Sequence, residues 1–215
     1  MVFAVEMGAR FIAEAPALPA SVESAAAYLE AATVGRVLAD VLHAGGADAR
    51  VHGSGDYLGV LPQLALRAGL GKIGMMGLLA SENWGPRVRL GAVTTDVTLP
   101  VDRPRSFGLE DFCLRCGRCA TNCPAGAISR KPREVRGVTK WGVIPEDCYR
   151  FWRRVGSDCG ICLRVCPFGG IEWPLNNLLK RAVRLRPSLA PIMSRYYDQV
   201  YGKRLRHLIK KARTP

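Results

Sequence analysis

Histidine is scarce in this chain. His43, His52 and His207 are its only three, and they share no ligand spacing, which argues against a histidine-built metal centre. Aromatic residues make up 7% of the sequence, and cysteine is missing from its first 112 residues. No apolar run approaches the roughly 18 residues of a transmembrane helix. The longest, Ile73–Ala80, falls far short. The N-terminus shows no basic stretch ahead of an apolar one, so a secretory leader is not expected and the expected location is the cytoplasm. What remains is 215 residues with 48% apolar and 23% charged side chains, enough to bury a core and too apolar for a disordered chain.

Acidic residues thin out along the chain. Residues 1–112 carry 9 basic and 12 acidic side chains; residues 113–215 carry 22 basic and 6 acidic. Such a split fits contact with nucleic acid, a membrane surface or an acidic partner, or a basic shell around something anionic. No nucleic-acid recognition motif accompanies the charge, so nucleic acid is not expected.

All eight cysteines fall in the basic half. They read Cys113-x2-Cys116-x2-Cys119-x3-Cys123-Pro124, then Cys148-x10-Cys159-x2-Cys162-x3-Cys166-Pro167. The first run is the bacterial ferredoxin pattern, whose fourth cysteine ligates the other cluster. The crosswise assignment gives one [4Fe–4S] cluster to Cys113, Cys116, Cys119 and Cys166. The second takes Cys123, Cys159, Cys162 and one more. Gly156 stands where a symmetric pattern would put that last ligand, which leaves Cys148. Disulfides suit small secreted chains, and zinc suits paired CxxC units without the third cysteine and the CP ends. Arg115, Arg118 and Arg164 are candidate counter-ions for the anionic clusters.

Strands are expected at Val2–Met7, Ala47–Val51, Leu78–Ala80 and Val88–Thr95. Helices are expected at Ser21–Ala44, Leu61–Ala68, Leu175–Leu185 and Ile192–Ala212. The long first helix presents Val34, Val37, Leu38, Val41 and Leu42 as its apolar stripe, and the last helix presents Ile192, Tyr196, Val200 and Leu208. Strands mixed with helices ahead of the cysteines indicate α+β or α/β. The stretch Gly69–Gly74 fits GxGxxG, but a helix precedes it and an apolar strand follows, the wrong context for a dinucleotide site.

Two blocks carry a family resemblance. One runs from Ala68 through GLGKIGMMGLLASENWGPRVRLGAVTTDVTLPVDRP to Arg105 and into the cysteine run. The other runs from Gly137 through VTKWGVIPEDCYRFWRRVGSDCGICLRVCPF to Phe168. Both resemble the corrinoid-dependent reductive dehalogenases, and more distantly the epoxyqueuosine reductases. Members of the family are longer, and this sequence resembles their C-terminal half. The resemblance implies an α+β chain in three parts. Residues 1–106 would form a partial nitroreductase-like α/β corrinoid core, 107–170 a ferredoxin-like module with two [4Fe–4S] clusters, and 171–215 basic C-terminal helices.

The implied activity is an oxidoreductase reaction, removal of halide from an organohalide with electrons passed through the clusters to a base-off corrinoid. The implied proton donor is Tyr28, with Arg87 as its cationic partner and Arg89 as the competitor for that role. Lys72, Met75 and Arg89 are the implied cofactor contacts. Expected partners are the organohalide, an acidic electron donor of ferredoxin or flavodoxin type, and a peripheral membrane surface. A non-enzymatic dicluster electron carrier is the alternative, and an epoxyqueuosine reductase-like enzyme a second one.

Overall fold

The computed structural model describes residues 1–135, 138–170 and 173–200. Helices α1 (Ala9–Ile12), α2 (Leu18–Ala44) and α3 (Leu61–Arg67) alternate with strands β1 (Val2–Glu6), β2 (Ala49–His52), β3 (Gly71–Ile73), β4 (Leu79–Ser81) and β5 (Val88–Thr95). Downstream come α4 (Leu109–Cys116), α5 (Arg118–Thr121), the strand pair β6 (Arg133–Val135) and β7 (Val138–Lys140), α6 (Pro145–Val155), α7 (Ile161–Arg164) and α8 (Pro174–Leu185). The architecture is mixed α and β, as expected. β5 lies at the centre of an antiparallel sheet with β1 and β2 on its flanks; Glu6 pairs with Val88 and Val51 with Val93.

The long helix starts earlier than expected and buries a different face. Pro19 sits in its first turn, where a missing N–H costs nothing. Ser21 and Ser24 do not cap it; their hydroxyls accept from the Asp158 N–H and from Arg89. The buried residues are Ala20, Ser24, Ala27, Ala31, Gly35 and Ala39, spaced three or four apart. Val37 and Val41 of the expected stripe are 57% and 66% exposed. Close approach to the sheet is the reason. A Cβ on Gly35 would lie 2.7 Å from the Val51 side chain, so the helix rests on its small residues.

One core joins the upstream part to the cysteine-bearing part. It runs from Val5, Met7 and Ala27 through Phe112, Ile161 and Phe168 to Met193 and Tyr197. The two parts approach closely at Gly85, before β5. Gly85 has φ +58°, and a Cβ there would stand 2.5 Å from the Phe168 backbone. Residues 190–200 are helical and bury Ala190, Met193 and Tyr197, while Ile192 and Val200 of the expected stripe are exposed. Leu208 and the basic residues beyond 200 lie outside the described residues. Among the described residues no helix is long and apolar enough to cross a membrane.

Candidate functional site

Each cysteine run wraps the end of a short helix. The turn between Cys116 and Cys119 passes through Gly117 at φ +59°, and the turn before Cys162 passes through Cys159 and Gly160, also at positive φ. These left-handed residues curl the backbone so that its N–H groups face the thiols. Main-chain donors from Met75, Arg118 and Ala120 reach Cys113, Cys116 and Cys119. Those of Ile161, Leu163 and Phe168 reach Cys159, Cys162 and Cys166. Cys148 sits in the first half of α6, where Trp152, one helical turn on, donates its indole N–H to the thiol.

The thiols fall into two groups of four. Cys166 feels the charge of Cys113, Cys116 and Cys119. Cys162 feels that of Cys159, Cys148 and Cys123. These are the sets that the spacing groups, and they adjoin one another, because Cys119 also feels the charge of Cys162. Among the described residues no three His, Cys, Asp or Glu side chains converge on a single-ion site. Burial pushes the thiols up, Cys113 and Cys159 to about 11 and Cys119 and Cys162 to about 12. Cys116, Cys148 and Cys166 are also raised, in each case chiefly by burial. A bare thiolate is costly here; one bound to iron is not, because metal binding supplies the opposing charge and releases the proton. The donor set, the buried setting and the inward N–H groups all suit iron–sulfur clusters.

The second foursome opens on a cavity of about 610 Å³. Cys123, Cys148, Cys159 and Cys162 line it on one side; Tyr28, Arg89, Met76 and Leu78 line it on the other. Arg89 stacks on the Tyr28 ring, its guanidinium carbon 4.5 Å from the centroid, and donates to the Ser24 hydroxyl. Its Nε is buried without a partner. Tyr28 is 39% exposed.

Arg87, expected as the partner of Tyr28, is held elsewhere. It is fully buried, with Nε donating to Gly169 O at 2.6 Å and Nη1 to the Glu6 carboxylate at 2.7 Å and to Met7 O. The cation over the Tyr28 ring is Arg89. Strand alternation cannot separate the two arginines, because the Gly85–Pro86 turn ends just before Val88 and Arg87 belongs to the turn. Of the three expected cofactor contacts only Arg89 lines the cavity. Lys72 pairs with Glu110 at 3.4 Å, and Met75 is buried in the core, with Met76 taking its place at the cavity. Arg118, expected near a cluster, is 4% exposed and flanks Cys116. Sequence reasoning missed Ser24 and Trp152; the i, i+4 spacing of Cys148 and Trp152 on one helix was the available signal.

The model of the 4Fe-4S dicluster domain matches residues 112–170. The tetrachloroethene reductive dehalogenase of Desulfitobacterium hafniense is 34% identical over 160 residues, 69% of this chain and 29% of that protein. A solved reductive dehalogenase, described as performing B12-dependent dehalogenation, superposes with a TM-score of 0.86 at 28% identity over 93% of this chain. Its homologues are the reductive dehalogenases. The epoxyqueuosine reductase of Lactococcus garvieae is a more distant match, 33% identical over 112 residues, 49% of this chain and 30% of that one. The match covers less than a third of the reductive dehalogenase of Desulfitobacterium hafniense. The cofactor expectation of two [4Fe–4S] clusters agrees with the dicluster domain, and the corrinoid expectation agrees with the B12-dependent dehalogenation described for the solved reductive dehalogenase.

Proposed function

We propose that this chain forms the electron-delivery side of a reductive dehalogenase centre. Cys113, Cys116, Cys119 and Cys166 hold cluster 1, and Cys123, Cys148, Cys159 and Cys162 hold cluster 2. Residues 1–106 supply one wall of the corrinoid cavity, 107–170 the clusters, and the helical residues 174–185 and 190–200 a brace. A corrinoid, when bound, supplies reductive cleavage of a carbon–halogen bond. The net change consumes two electrons and one proton, and releases the reduced organic product and a halide ion. Cluster 2 presents the electrons at the cavity. Tyr28 holds the proton at Oη, and the Arg89 guanidinium stacked on its ring stands beside the charge that transfer leaves behind. The unpartnered Arg89 Nε offers a donor to an acceptor group on the bound molecule.

The observation that carries this reading is the shared cavity. Four thiols of one cluster and a tyrosine–arginine pair face the same space. Anaerobic reconstitution with iron, sulfide and hydroxocobalamin tests it. After gel filtration the chain is expected to retain iron and sulfide for two clusters, with cobalt close to one per chain. Full iron without cobalt overturns the corrinoid part and leaves a dicluster electron carrier.

A further inference from the structure

The two clusters sit under different surfaces. The loop that holds cluster 2 is covered by the connection between α1 and α2. Ser157 Oγ donates to Pro16 O at 2.7 Å, the Asp158 N–H donates to Ser21 Oγ at 3.1 Å, and Arg164 donates to Ala15 O at 2.8 Å. The last turn of α4, which carries Cys113 and Cys116, is itself surface. Leu114 and Arg115, between Cys113 and Cys116, are exposed, Leu114 by 55%. Arg130 is exposed too, and its guanidinium lies against Gly117, where a Cβ would come within 2.7 Å of it. It is held there by a 3.3 Å bond to Thr121 Oγ1. Lys131 follows it on the surface. Among the described residues none of these three cations is paired with a carboxylate. The nearest acidic neighbour along α4 is Asp111, one turn from Arg115.

We propose that this basic rim around Cys116, made of Arg115, Arg130 and Lys131 with Leu114 at its centre, is where an acidic one-electron donor protein docks, so that electrons enter at cluster 1 and leave through cluster 2. The inference rests on the cluster assignment above and adds to it the surface at which the donor meets the chain. Docking oxidises the donor by one electron and reduces cluster 1 by one; a second transfer moves that electron to cluster 2. Unpaired cations beside an apolar contact point form the arrangement that steers an acidic partner, and such steering raises association rates by about 10- to 1,000-fold at low salt. Arg130 adds local meaning, because it also faces the Cys116 thiol.

Stopped-flow reduction of the reconstituted clusters, followed by their visible absorbance, tests the proposal with reduced flavodoxin as the acidic probe. The variant Arg115→Glu/Arg130→Glu is expected to be reduced at least about tenfold more slowly than the wild type at low salt, with the gap closing as salt screens the charges. Reduction by the methyl viologen radical cation, which needs no acidic docking, is expected not to slow. The variant Arg150→Glu/Arg154→Glu makes the same charge change on α6 beside cluster 2 and is expected to stay within about twofold of the wild type. Equal flavodoxin rates in the wild type and the first variant overturn the proposal, as does equal slowing in both variants. It is also overturned if the wild type sediments with anionic vesicles through Arg115 and Arg130 while flavodoxin rates are unchanged, for then the rim serves a membrane. Iron content decides the cluster assignment separately, and absent cobalt leaves this assay readable.

Discussion

Replacing Arg87 by Met separates a structural arginine from a catalytic one. The side chain is fully buried and bridges the start of the chain to the segment just after Cys166, through Glu6, Met7 O and Gly169 O. Met fills much of the volume and makes none of these bonds. The Glu6 carboxylate is partly exposed and regains water. The two carbonyls are buried by the same packing and do not, at about 1–3 kcal/mol each. Removing the buried cation also removes its desolvation cost, which offsets part of the loss. The balance is about 3 kcal/mol, which at roughly 2–4 °C per kcal/mol for a chain of this size lowers the melting midpoint by about 6–12 °C. Arg89→Met is the control; it loses one bond to Ser24 and one ring contact, and should cost about 1 kcal/mol. Circular-dichroism melts of anaerobically reconstituted protein, with iron measured on each sample, read both. An Arg87→Met midpoint within 2 °C of the wild type, roughly 1 kcal/mol or less, refutes the bridging role.

Other outcomes follow from the same geometry. Cys148→Ala should lose one cluster and spare the other, read as half the iron and sulfide; an undiminished content removes Cys148 from the ligand set. In any preparation that turns over, Tyr28→Phe should keep cobalt binding and lose at least about 10²-fold in rate, as for a missing general acid. Arg89→Met should lose less, and full activity in Tyr28→Phe ends the proton-donor assignment. In iron-free protein the buried thiols stay neutral well above the ordinary range. Iodoacetamide labelling of Cys113 and Cys159, followed by mass spectrometry, should therefore rise through about pH 11 and not level off below pH 9. The sign for stability is the same: a raised folded-state value favours the folded form below pH 9, and that contribution is lost as pH climbs toward 11.

The gathering of the thiols was legible because covalent reach dictates it. Two residues between thiols is what a helix end can wrap around one face of a cubane, and the crosswise partner follows from the CP ends. Cys148 broke the spacing yet could be placed by elimination. Helix faces were less legible. Counting valines and leucines put the core side of α2 at Val37 and Val41, whereas helix-to-sheet distance selected Ala27, Ala31 and Gly35. Hydrophobicity rewards large residues, and close packing against Val51 rewards small ones. The same error recurred near the C-terminus, where Met193 and Tyr197 face inward and Ile192 does not. The roles of Arg87 and Arg89 depended on a turn ending between them, which no alternation rule reports.

The bonds from Ser157, Asp158 and Arg164 to Pro16, Ser21 and Ala15 also bear on how the molecule is made. Residues near position 16 leave the ribosome long before residues near 158, so the latch waits for a partner synthesised late. Until those later residues are made, none of these three bonds can form, so this tie between the upstream part and the cysteine-bearing part is a late event in synthesis.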